Sequence, residues 1–222
     1  MSFPVVLLYV CAAAVVLSGV EVVKGLSGGG RRSSPVESLR VLWGRPVPLV
    51  AAGMVACMVV MAGVQSTAPA VMAHLQRAPG APWWRAASAL LVQTSGWLQL
   101  TFNLAALIAL APAAQRALGP LVMPLVFLVS GVAAQAVSMA GWSPTRGGDS
   151  VALCGLVGAL AVTAALRPGP LPARLLPLLI PAAGLVLCFL RNNHGVGLLT
   201  GCALGCALAA LPARRLSTTP AA

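Results

Sequence analysis

Long apolar runs separated by short polar breaks dominate this chain. Seven of them approach the roughly 20 residues a helix needs to cross a hydrocarbon core about 30 Å thick. They cover about 3–23, 46–65, 95–113, 118–141, 149–166, 171–190 and 193–212. Each run is continuously apolar instead of alternating, which predicts spanning helices and not barrel strands. Pro177 and Pro181 fall in the sixth run and predict a kink there. Residues 25–35 are Gly- and Ser-rich and separate the first run from the other six. The pattern therefore predicts an all-α polytopic membrane protein. Its parts are an N-terminal helix (1–23), a cytoplasmic linker (24–45), a six-helix unit (46–213) and a short tail (214–222). The stretch 66–94 is too broken to span and too apolar for a free linker, so it is expected to lie partly in one leaflet.

Composition agrees. Hydrophobic residues make up 59% of the chain and charged ones 8%, against about 25% charged in soluble domains. A soluble chain so poor in charge could not cover its own surface. Lys and Arg number fourteen; the acids are only Glu21, Glu37 and Asp149. The basic residues stand mostly singly between apolar runs, so they orient helices and do not form a phosphate-binding patch. The lipid bilayer is the expected partner, and nucleic acid is not.

Those charges set a direction. Lys24, Arg31, Arg32, Arg40, Arg45, Arg116, Arg167, Arg174, Arg214 and Arg215 fall on one side, and Arg77, Arg85, Arg146 and Arg191 on the other. The positive-inside rule makes the richer side cytoplasmic. The expectation is a plasma-membrane protein with its N-terminus outside and its C-terminus in the cytoplasm. Trp83, Trp84, Trp97 and Trp142 then fall at the outer boundary and Trp43 at the inner one, where indoles prefer to sit. No basic residue precedes the first run, so it reads as a retained helix and not a signal peptide.

The six cysteines (11, 57, 154, 188, 202 and 206) lie inside apolar runs without metal-site spacing. Neither a metal nor a cofactor is expected. His74, in the outer stretch, reads as solvated. Polar residues inside spanning helices are costly and often functional. Gln99 and Asn103 are four apart, so they share one face of the third helix. Gly147-Gly148-Asp149-Ser150 opens the fifth helix and Asn192-Asn193-His194 the seventh. The topology, set by basic residues alone, puts all of these toward the outer face. A Ser and a His at one depth can serve as nucleophile and general base. Amide side chains and a helix N-terminus offer donors to an oxyanion. Each residue alone has a plainer role, Ser as a cap and His as an interfacial group. Gly197, Gly201 and Gly205 repeat every four residues down the seventh helix, as do Gly155 and Ala159 on the fifth. Such faces let backbones approach closely, and would draw Ser150 and His194 together.

These residues resemble the rhomboid family of intramembrane serine proteases. Trp84-Arg85, Asn103 within Leu100-Thr101-Phe102-Asn103-Leu104, and Ser130-Gly131 resemble family features in order. So do Gly148-Asp149-Ser150 followed by Gly155-Leu156-Val157-Gly158-Ala159, and His194-Gly195-Val196-Gly197 with Gly201. The resemblance implies a six-helix rhomboid-like bundle with one extra N-terminal helix. It implies a serine endopeptidase with a Ser150–His194 dyad, and transmembrane protein substrates cut near the outer face. Asn103, Gln99 and Gly148 would form the oxyanion and substrate-binding surroundings. No third acid is implied, and Asp149 is expected to cap its helix. The chain departs from the family at three places. Gln99 stands where members usually carry His, Val151 where Gly follows the nucleophile, and Cys154 where an aromatic commonly lies. The alternative reading is a non-catalytic relative that binds transmembrane segments. A transporter would more often show paired charges or broken helices at mid-depth, and this chain has no charge there.

Overall fold

The computed structural model describes residues 2–28, 33–168 and 170–211. Linker positions 29–32, with Arg31 and Arg32, lie outside them. So does the tail 214–222, with Arg214 and Arg215. Among the described residues the chain is helical, without strands beyond one isolated bridge between Arg77 and Arg146. The long helices are α1 (Phe3–Leu26), α3 (Leu49–Thr67), α6 (Trp97–Leu118), α7 (Val122–Val137), α8 (Ser150–Leu166), α10 (Leu179–Phe189) and α11 (Asn193–Ala210). Shorter ones are α2 (Pro35–Leu42), α4 (Ala70–Leu75), α5 (Arg85–Ser88) and α9 (Leu171–Leu175).

Six helical stretches are long and apolar enough to cross a membrane. The seventh expected span, α8, has only 17 residues, about 25 Å at 1.5 Å per residue. It stands at the centre of the bundle, and Val151 to Leu153 and Gly155 to Ala161 are buried. Neighbouring helices surround it from Val151 to Ala161, whereas Leu166 at its end is exposed. The proline-bearing segment is broken as expected. Helix α9 passes through a 3-10 turn, Leu176–Leu178, into α10. The region 24–45 is not an open linker throughout. Helix α1 runs to Leu26, and α2 forms behind a capping box between Ser34 and Glu37. Its two bonds to Ser34 hold the Glu37 carboxyl below its ordinary range.

Small residues decide the packing. Helix α11 lies along α8, and a Cβ on Gly201 would collide with the Gly155 carbonyl oxygen. One on Gly197 would collide with the Val151 carbonyl, and one on Gly205 would come 3.1 Å from Ala159 Cα. From α7, Ser130 fills the space beside Gly155, and Gly131 faces Ala152. Helix α1 packs on α10 and α8, with Gly19 against Val157.

Helices α6, α8 and α11 begin at the same end of the bundle, where α3, α7 and α10 finish. The stretch 66–94 closes that end. Arg85 stacks on Trp84, 5.3 Å from its ring centre, and donates to the carbonyls of Ala73 (2.7 Å) and Gln76 (3.0 Å). At the other end Arg116 donates to the carbonyls of Leu42, Gly44 and Pro46, and Gln115 accepts from the Ala51 amide.

Candidate active site

Ser150 is the first residue of α8 and His194 the second of α11. The glycine seam holds the two helices so close that Ser150 Oγ and His194 Nε2 lie 2.9 Å apart. Both side chains are half-buried. Asn192, the N-cap of α11, fixes which ring nitrogen carries the proton. Its Oδ1 accepts from the His194 backbone N–H at 3.0 Å and contacts His194 Nδ1 at 2.8 Å. A backbone N–H can only donate, so the Asn192 atom is an acceptor and Nδ1 must carry hydrogen. Neutral imidazole then has a bare Nε2, and the Ser150 hydroxyl donates to it. A hydroxyl bonded to an oriented base is the arrangement that nucleophilic catalysis needs.

A buried polar network supports the start of α8. Asp149 occupies the N-cap position, but its side chain caps nothing. It is 1% exposed, and its Oδ1 accepts from Gln93 Nε2 at 2.6 Å and Asn103 Nδ2 at 2.8 Å. Asn103 Nδ2 also donates to Gln93 Oε1 at 2.8 Å. Both amide hydrogens of Asn103 are therefore engaged, one by Asp149 and one by Gln93. This differs from the expectation for both residues: Asp149 is an acceptor in a buried network, and Asn103 is its support. The reason is Gln93, whose side chain the sequence pattern did not single out. Its own backbone N–H is held by Gln65 Oε1 at 2.7 Å.

Gln99 accepts from the Ser95 amide at 2.7 Å and donates through Nε2 to the Gly147 carbonyl at 3.2 Å. One Nε2 hydrogen is left over beside Ser150. A Cβ on Gly148 would collide with that same Nε2, so any larger residue there would displace the Gln99 amide. Gln135 Nε2 donates to the Gly148 carbonyl at 2.8 Å, and Arg77 donates to Gln135 Oε1. Val151 is buried, while Cys154 is half-buried one turn below Ser150. His74 is exposed, away from the site.

Two cavities meet at the dyad. An apolar groove of about 1020 Å³ runs between α1, α6 and α8, from Ser150 and His194 to Lys24 and Ser38 at the opposite end. A polar chamber of about 250 Å³ opens on the other side of Ser150. Ser95, Gln99, Ser150, Asn192 and His194 line both. Among the described residues no cluster of His, Cys, Asp or Glu could hold a metal.

The Asn192 contribution was missed in the sequence reading, although an Asn just before a helix-opening His carries a recognisable N-cap signal. Gln93 gives no such signal, since its partners are 10 and 56 positions away.

No curated protein matches the chain. The Rhomboid domain family matches residues 80–214, more than half of the 222. That region holds the dyad, the buried network and the helices α6 to α11. The chain belongs to the rhomboid family of intramembrane proteases and their inactive relatives.

Proposed function

We propose that the protein is an active serine endopeptidase that cuts membrane-anchored proteins, with Ser150 as nucleophile and His194 as its base. The observation that carries this reading is the 2.9 Å Ser150–His194 hydrogen bond with its proton acceptor on Nε2. His194 Nε2 takes the hydroxyl proton as Oγ bonds to the scissile carbonyl carbon. The carbonyl oxygen becomes an oxyanion. The first backbone N–H groups of α8, which have no helical partner, and the remaining Gln99 hydrogen are the donors that could receive it. Collapse breaks the C–N bond, and His194 returns the proton to the leaving amine. Water then repeats the sequence on the acyl-serine, releasing the acid and restoring the hydroxyl. The polar chamber gives that water a route, and the apolar groove gives a membrane-anchored substrate one from the bilayer.

The ten-to-four split of basic residues supports a site at the extracellular end and a C-terminus in the cytoplasm. One observation favours a second reading, a non-catalytic relative that binds transmembrane segments. The amide hydrogens of Asn103 are engaged within the protein, which thins the set of oxyanion donors.

Fluorophosphonate labelling of the purified protein tests the proposal. Labelling on Ser150, with cleavage of a transmembrane substrate lost in Ser150→Ala and His194→Ala, supports it. The double variant should be no worse than either single one, since the pair works as a unit. Neither label nor cleavage would transfer preference to the non-catalytic reading.

A further inference from the structure

The polar chamber is lined by three arginines from three separate loops, Arg77, Arg146 and Arg191. Arg77 is 3% exposed. It donates to Gln135, while its Nε has no partner. Arg146 and Arg191 are exposed, and both hold backbone φ values rare for residues with a side chain, 135° and 52°. Arg77 and Arg146 are also joined by backbone hydrogen bonds in both directions, at 3.0 and 3.4 Å.

Of the three arginines, Arg77 is the one whose burial calls for a counter-charge, and exposed Arg146 and Arg191 add positive charge at the same chamber. Among the described residues the only ion pair is Lys24–Glu21, at the far end of the bundle. Asp149 does not line the chamber, and Gln93 and Asn103 bond its carboxylate. Burying a guanidinium without an anion is costly, and a second guanidinium beside it adds repulsion. Burial and Arg146 push Arg77 down only to about 10, so it remains charged at neutral pH. Guanidinium offers donors only, and a carboxylate meets it with charge-assisted bonds that water cannot make. Arg191 directly follows the end of α10, where a left-handed residue is an ordinary helix termination, whereas the 135° at Arg146 lies outside that region.

The chamber is not isolated from the groove, because Ser150 and His194 face both. A chain lying in the groove with a peptide bond at Ser150 would bring an adjacent side chain to the chamber mouth. A volume of about 250 Å³ suits one side chain, not a second helix.

We propose that this chamber is a carboxylate subsite, in which Arg77, Arg146 and Arg191 receive an Asp or Glu side chain of the substrate close to the bond that is cut. This rests on the protease reading for the words "bond that is cut", but the binding itself does not. The subsite selects acidic juxtamembrane sequences among the single-span proteins that enter the groove.

The test uses full-length Ser150→Ala protein in neutral detergent and fluorescent single-span peptides. One Glu, or one Gln in its place, is moved residue by residue through the juxtamembrane segment. At one or two positions the Glu peptide should bind about tenfold tighter than its Gln twin, as for a charge-assisted bond. That ratio should shrink in high salt and fall toward one in Arg146→Gln and Arg191→Gln. These two positions are exposed, so neither variant disturbs the buried Arg77–Gln135 contact. Equal binding of Glu and Gln peptides at every position overturns the subsite. Wild-type cleavage of the same pairs separates the two ideas. Absence of any cleavage or label with a persistent Glu preference removes the protease and keeps the subsite. Cleavage without a Glu preference in either assay keeps the protease and removes the subsite.

Discussion

The two flanks of α8 are built to opposite rules. Toward α11 there is no spare space: glycines let the two backbones touch, and any added Cβ at Gly197 or Gly201 strikes a carbonyl. Toward α1 and α6 there is a groove of about 1020 Å³. Dense packing makes positions exact because neighbouring atoms cannot yield. The tight flank therefore sets the Ser150–His194 distance, and the loose flank leaves a path to it. This bundle separates rigidity and access, placing them on different faces of one short helix.

Breaking the tight flank should have the largest effect. Gly201→Leu would drive a side chain into the Gly155 backbone. Its cost should be at least the roughly 1–3 kcal/mol typical of overpacking. Thermal unfolding in detergent should show a lowered midpoint, with loss of Ser150 labelling even where the protein stays folded. Wild-type behaviour in both would mean that the seam does not hold the dyad.

The polar residues where the flanks meet come next. Gln99→Ala removes an amide donor beside Ser150. Loss of one oxyanion donor costs on the order of 10²–10³ in rate in a well-studied hydrolase. Here the reduction should be at or below the lower end, since backbone donors remain. A rate above wild type would exclude Gln99 from that role. Asn192→Ala should slow cleavage about tenfold, because it frees the imidazole to adopt the other tautomer, and should lose roughly 1 kcal/mol of helix capping. Asn192→Ser separates these effects. A serine still caps α11 but is too short to hold Nδ1, so stability should return while the rate stays low. Recovery of both would reduce Asn192 to a cap.

The smallest effect belongs to the loose flank. Phe102 lines the groove and is 61% exposed. Phe102→Ala should change the unfolding midpoint little, well short of the 3–5 kcal/mol of a buried Phe deletion. It should instead alter KM for membrane-anchored substrates. A large drop in stability would show that α6 packs more tightly than the cavity implies.

Much of this was legible in the chain. The number and order of the spanning helices follow from apolar runs, because lipid forces every spanning backbone to satisfy itself; their ends do not, as 95–113 against Trp97–Leu118 shows. The glycine repeats on α8 and α11 carry a spacing that can be read as a contact face. The acid network was hidden. Asp149 precedes a helix and so reads as a cap, and only the approach of Gln93 and Asn103 turns its side chain away. The bounds of α8 were legible to within one residue, 149–166 against Ser150–Leu166, but that protein and not lipid covers most of it was not, because burial depends on the neighbouring helices.

The sequence by itself determined that this is a helical membrane protein, that Ser150 and His194 stand at the same end, and which small residues permit close packing. These are local matters of hydropathy and helical period. The tertiary structure alone decided which acceptor faces the imidazole, which amides are already engaged, and where the space lies. It gathered Arg77, Arg146 and Arg191, from loops far apart in the chain, around one chamber. Hydrogen bonds and cavities are relations between distant segments, and no local pattern records them.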